Sequence, residues 1–428
     1  MRFTADASLF LASPQQALFL GAGASVDAGM PLVSELTAEL VRWLTPGKLA
    51  GFNNGWRARG GGWRDTTVAT LSDLLQNHSL HYEQMIGAIE VEFARERDAG
   101  LRQEWHAVHG YLLQSIRGLL LERQVRNLNF ALSVLDDFGA LKKLTEENRP
   151  LWVFTTNHDV ILEVLAAKFG IPIKSGFRER VTLAMSAGVG IVIDIDFERL
   201  PRAAITAGDC DFFRPGEFGI NLIKLHGSID IFGQGDEISY IKVASKDGSP
   251  RSYVEQLQAV QTIDFALGIR EGIRANNEHC YRDSEGELQF LRNSLLSGAH
   301  KFSPRMTQIA PPEFLARFRG FLNYAGELVC IGYGFGDHHI NEPMVEWLSQ
   351  AAARRLTIVN PGIARCPDRF GHLVRQVSLV PKDARRFFLD LDGQPEADPA
   401  RLEVRRLQIM NRKRRMEELL KRLEAAGE

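Results

Sequence analysis

Four short stretches of this chain place polar residues and glycines directly after apolar runs, where side chains can act on a bound ligand. In "LWVFTTNHDVILE" the apolar run 151–154 gives way to Thr155, Thr156, Asn157, His158 and Asp159. Polar groups packed at a strand end need partners, and a ligand's hydroxyls or carboxamide would supply them. The plainer alternative is that Thr156 or Asn157 caps a helix beginning near Val160. In "INLIKLHGSIDIFG" His226 sits just past an apolar strand and before Gly227. A histidine there can serve as a general base near neutral pH, or it is a buried ring satisfied by its neighbours.

The other two stretches are rich in glycine. "ALFLGAGASVDAGMPLVSEL" runs from an apolar strand through Gly21, Ala22, Gly23, Ala24 and Ser25 into a helical pattern. Small residues at that junction let the backbone approach a ligand, and the N–H groups of a following helix attract phosphate. The dinucleotide fingerprint wants a third glycine where Val26 stands, so an ordinary strand-to-helix turn also explains the stretch. The pair "LVCIGYGFGDHHIN" and "LTIVNPG" repeats the pattern. Gly332, Gly334 and Gly336 clear space, and Asn360 ends a strand where it could bond a ribose hydroxyl; ordinary turns are again the alternative.

The elements that must position these residues follow from hydrophobic patterning. Strand-like runs at 17–20, 151–154, 189–195, 221–225, 327–332 and 356–359 are in several cases followed by helical patterns. This predicts an α/β fold, a Rossmann-like, mostly parallel sheet wound with helices, with the motifs at the carboxyl ends of its strands. The expected catalytic domain spans 1–400. Within it, 33–150 carries apolar residues at helical spacing and is expected to be a large helical insertion, broken by a flexible "GFNNGWRARGGGW" loop at 51–63. The region 170–303 is mixed, with a surface turn expected at 281–288. The tail 401–428 reads as a basic amphipathic helix with Leu407, Met416, Leu419, Leu420 and Leu423 near one side. Its "RKRR" is either a solvated face or a contact for nucleic acid or an acidic partner.

Composition narrows the class. Among 428 residues, 45% are hydrophobic and 24% charged, with 51 basic against 53 acidic side chains, which argues against a nucleic-acid-binding protein as a whole. The four cysteines, Cys210, Cys280, Cys330 and Cys366, form no C-x-x-C pair, so no zinc is expected. No run of about 18 apolar residues occurs, and the N-terminal apolar stretch leads into the glycine turn rather than a cleavage site, so a cytoplasmic location is expected.

Taken in order, the four stretches resemble the sirtuin family. There a "GAG-x-S" loop holds the pyrophosphate of NAD, "N-x-D" holds the nicotinamide ribose and carboxamide, "HG" supplies a catalytic histidine, and later glycine and Asn turns hold the adenosine half. The resemblance implies NAD contacts from Gly21, Ala22, Gly23, Ser25, Asp159, Gly332, Gly334 and Asn360, with Asn157 and His226 catalytic. It covers about half the chain. Two departures stand out: Pro31 is followed by Leu32, Val33 and Ser34 where protein deacylases carry "P-D-F-R", and their paired C-x-x-C zinc module is missing. The insertion, "TTN-x-D" and "GYGFGD" are similar instead to the sirtuin-like NADases of prokaryotic anti-phage defence. That similarity implies hydrolysis of NAD to nicotinamide and ADP-ribose, homo-oligomeric control, and a HerA-type ATPase or other defence partner. Protein deacylation, ADP-ribosyl transfer and a non-catalytic NAD or ADP-ribose sensor are the alternatives.

Overall fold

The computed structural model describes residues 15–145, 149–188, 190–235, 238–295, 297, 312–394 and 399–426. The N-terminal stretch before residue 15 and the side chains of Arg415, Leu419, Leu420 and Leu423 lie outside what is described. The strands in chain order are β1 (Gln16–Leu20), β2 (Leu151–Thr155), β3 (Ile173–Lys174), β4 (Glu179–Ser186), β5 (Val192–Pro201), β6 (Ile220–Lys224), β7 (Gly227–Gln234), β8 (Ser239–Val243), β9 (Glu278–Arg282), β10 (Leu288–Leu295), β11 (Glu327–Ile331), β12 (Arg355–Val359) and β13 (Val377–Val380).

Seven strands form a parallel sheet in the order β13-β12-β11-β1-β2-β6-β3. The chain leaves β1 to build β2 and β6 on one side, then returns to build β11, β12 and β13 on the other. The gap between β1 and β11 is therefore a switch point, and a doubly wound sheet opens its crevice there, beyond the carboxyl ends of the strands. The α/β, Rossmann-like reading holds.

Both faces of the sheet are covered, as parallel strands require. The two-residue period of β1 divides its side chains: Leu18 joins the core under the helical insertion, whereas Ala17 and Phe19 join the core that includes Phe318 and Trp347. Those last two residues come from helices Pro312–Leu322 and His338–Ser349.

The insertion between β1 and β2 is helical, with segments Val33–Trp43, Pro46–Arg57, Asp65–Gln76, Tyr82–Arg95, Ala99–Arg126 and Leu128–Val134. The expected loop at 51–63 is corrected: its first half is the helix Pro46–Arg57, with Thr45 as N-cap and Pro46 in the first turn. Asn53 on that helix holds the return of the chain, accepting from the Trp63 N–H at 2.7 Å and donating to the Trp63 carbonyl at 3.0 Å. Two bonds from one buried amide outweigh the low helix propensity of the glycines.

The run at 189–195 is a second correction. Its described part enters β5, which pairs antiparallel with β4 and β8 in a closed barrel ordered β10-β7-β8-β5-β4-β9. The turn at 281–288 joins β9 to β10, with the Asp283 N–H bonded to the Glu287 carbonyl at 3.0 Å. The C-terminal helix is Pro399–Ala426. Among the described residues, no helix is long and apolar enough to cross a membrane.

Candidate active site

Every stretch singled out above ends at the carboxyl edge of the parallel sheet, following β1, β2, β6, β11 and β12. The loops after β1 and β11 meet across the switch point. The Gly21 N–H donates to the Ile331 carbonyl at 3.0 Å, and the Gly23 N–H to the Gly332 carbonyl at 2.9 Å. Gly332 has φ +65°, and a Cβ there would stand 2.3 Å from the Ala24 nitrogen. These glycines are thus required by one loop's approach to the other. Gly334 and Gly336 differ, since a Cβ at either would meet nothing within 4 Å. The helical pattern expected straight after the glycines is one 3-10 turn, Ala22–Ser25; the long helix waits until Val33.

Asn157 fastens the loop after β2 to the loop after β1. Its side-chain amide donates to the Gly21 carbonyl at 3.0 Å and to the Ser25 hydroxyl at 3.2 Å. Behind it, the Thr155 hydroxyl accepts from the Asn157 N–H at 2.9 Å and donates to the Leu20 carbonyl at 2.9 Å. Neither Thr156 nor Asn157 caps the helix Ile161–Phe169, whose N-cap is Val160; Asp159 accepts from the Ile161 N–H at 3.0 Å at its start. Burial pushes the Asp159 carboxyl above its ordinary pKa, partly offset by that bond, by Lys224 and by Ser25. Ser25, Asn157, Asp159 and Lys224 line a small cavity of about 40 Å³ whose apolar wall includes Leu135 and Phe138 of the insertion.

His226 occupies a second cluster. Only 2% exposed, its Nε2 lies 2.8 Å from Nε2 of His339, one ring donating and the other accepting. His158 packs nearby, ring centroids 6.3 Å apart. Gly227 must follow: at φ +72°, a Cβ would stand 2.2 Å from the Ser294 carbonyl of β10. Asn360 ends β12 and folds back on itself, its side-chain oxygen accepting from the Gly362 N–H at 2.9 Å. The structure therefore brings Gly21, Gly23, Ser25, Asn157, Asp159 and Gly332 together. His226 does not line their cavity, and no bond joins Asn360 to them among the described residues.

Three participants escaped sequence reasoning. His339 and Asp337 stand in the quoted "GDHHIN", and two adjacent histidines just after a glycine-rich turn were the available signal. Lys224 stands inside the fully buried β6. Its ammonium donates to the Asp159 carbonyl at 2.7 Å and to the Ser228 hydroxyl at 2.6 Å, and lies 2.9 Å from a Glu163 carboxylate oxygen. A lysine within an apolar strand has to be paired, which is a readable signal.

No protein-family model matches this chain, and no curated protein does. Solved structures that match include a mutant Sir2 homologue in complex with ADP-ribose, 12% identical with a TM-score of 0.37, over 91% of this chain and 95% of that one. A Sir2 homologue–NAD complex matches at 13% identity and a TM-score of 0.35, over 91% and 93%. A structure reported on the basis of sirtuin substrate affinity matches at 12% and 0.37, over 91% and 98%.

Proposed function

We propose that this chain hydrolyses NAD to nicotinamide and ADP-ribose, in the manner of the sirtuin-like NADases whose motifs it resembles. The observation that carries the reading is the meeting of the loops after β1, β2 and β11 at one switch-point crevice, with Asn157 bonded to both Gly21 and Ser25. The pyrophosphate is assigned to the loop 21–25 and the adenosine half to the loops at Gly334 and Asn360. The cavity beside Asn157 suits the leaving base: apolar walls for a planar ring, and Asp159 for its carboxamide.

Cleavage breaks the bond between the nicotinamide nitrogen and ribose C1, and the electron pair leaves with nicotinamide. Positive charge builds on the ribose, so orientation and charge complementarity lower the barrier. Asn157 orients the ribose hydroxyls and the attacking water. As the water oxygen bonds to C1, His226 takes its proton. The resemblance further assigns such an activity to anti-phage defence, held in check by self-assembly or by a partner such as a HerA-type ATPase.

The test is chromatography of NAD incubated with the wild-type chain and with Asn157→Ala and His226→Ala. Wild type should release nicotinamide and ADP-ribose in equal amounts, and each variant should lose on the order of 10²-fold or more in turnover. No product from wild type, or near wild-type turnover in both variants, would sink the reading.

A further inference from the structure

The His226 cluster holds more than a general base. The Nε2 atoms of His226 and His339 are 2.8 Å apart, and one potential ligand atom from each of His226, His339 and Asp337 lies within 4.8 Å of the other two. We propose that His226, His339 and Asp337 form a binding site for a zinc-class ion. Two imidazoles and one carboxylate are the donor set of an open zinc site, with the fourth position left to water. Imidazole donors favour zinc, cobalt, nickel and copper over magnesium or calcium, which take oxygen-rich sets.

The elements hold these donors with little freedom. His226 follows the buried strand β6 directly, while Asp337 is the N-cap residue of the helix His338–Ser349 and His339 lies in its first turn. A zinc–nitrogen distance of about 2.0–2.1 Å in tetrahedral geometry sets the two nitrogens about 3.3–3.4 Å apart, so the pair must open by about 0.5 Å from its hydrogen-bonded spacing. His339 is the ring that can yield: it is half-buried on a helix's first turn, whereas His226 is enclosed. The proton now held between the rings moves to Nδ1 of the ring that carries it, because a ligating nitrogen bears none. An ion in this site would occupy a ring nitrogen of His226, the side chain assigned above to proton transfer; that inhibitory consequence rests on the NAD reading, and the site itself does not.

The experiment is a titration of the full chain with Co²⁺, followed by visible absorption, with no nucleotide present. Wild type should take up one equivalent with the intense bands of four-coordinate cobalt. His339→Ala should bind at least about 10-fold more weakly, and Asp337→Asn should also lose affinity. Circular dichroism establishes that each variant is folded. The site is overturned if wild type takes up no Co²⁺, or if both folded variants bind it as wild type does. Uptake is read without turnover, so failure of NAD cleavage and failure of the metal site are separate results.

Discussion

The carboxyl edge of the parallel sheet and the antiparallel barrel lie side by side yet are built on opposite terms. The edge is loops, glycines and imidazoles, with backbone held against backbone. Where the barrel meets the sheet, charge is buried: Lys224 of β6 and Lys242 of β8 face Glu163 and Asp230 at 2.9 to 3.6 Å, and the Tyr253 hydroxyl donates to Asp230. Burial alone would push the Asp230 carboxyl up, but the two ammoniums override it and hold Asp230 well below the ordinary carboxylate range. Lys224 belongs to both regions, since the same ammonium reaches the Asp159 carbonyl. The barrel thus acts as a buttress for the edge, and substitutions in the two regions should fail in different ways.

The largest effect expected on stability comes from the buttress. Asp230→Ala strips one carboxylate from a fully buried network and leaves Glu163 as the ion-pair partner of both lysines. Removing one partner of a buried pair costs about 3–5 kcal/mol. Urea denaturation should show that loss, while the fraction still folded keeps the nicotinamide release proposed above. His226→Ala should do the reverse, keeping most of its stability and losing turnover. If Asp230→Ala unfolds at the wild-type urea midpoint, the buttress does not exist.

The same contrast explains what could be read from sequence. Core strands at 17–20, 151–154, 221–225, 327–332 and 356–359 were legible because strands buried on both faces are continuous apolar runs bounded by glycine or Asn. The run 189–195 marked only the first part of β5 and not its place in the barrel: along the strand, Ile195 and Phe197 are fully buried, and Asp194, Asp196 and Glu198 are interleaved with them. That two-residue period is the mark of a strand with one solvated face. The placement of Asn157 and His226 just after β2 and β6 was legible from the apolar runs before them. Lys224 and His339 carried local signals, a lysine in an apolar strand and two adjacent histidines, but Glu163 and His226, which they face, are distant in sequence and could not be read from spacing.

A sharper test lies within the edge, between two glycines of one loop. Gly332→Ala forces a left-handed backbone and drives a methyl into the Ala24 nitrogen, parting the loops after β1 and β11 that the Gly23 N–H and the Gly332 carbonyl join. Strain of this kind costs about 1–3 kcal/mol. Gly334→Ala meets open space and should stay within about 0.5 kcal/mol of wild type. Urea midpoints for both variants would separate the roles, and equal losses would show that the two loops are not fastened at Gly332.

The smallest effect is expected where the C-terminal helix touches the edge. Within the "RKRR" segment Lys413 and Arg414 are exposed, but Arg412 turns inward: it donates to the Val26 carbonyl at 2.8 Å and the Met30 carbonyl at 2.9 Å, and pairs with Glu35. One guanidinium therefore ties the end of the first loop to the helix Val33–Trp43. Burial raises the Glu35 carboxyl, but the bonds from Arg412 and from the Leu32 N–H, with Arg123 nearby, bring it below its ordinary value. A depressed carboxylate contributes stability above its unfolded pKa and loses it as pH falls through the folded one. The pair is partly exposed, so Arg412→Ala should cost only about 1 kcal/mol at neutral pH. That difference from wild type should shrink once Glu35 is protonated, at a pH below the usual carboxylate range. Paired urea midpoints at about pH 7 and about pH 3 read it directly. A difference that persists undiminished would mean that Arg412 holds the loop through the two carbonyls alone, with Glu35 as a bystander.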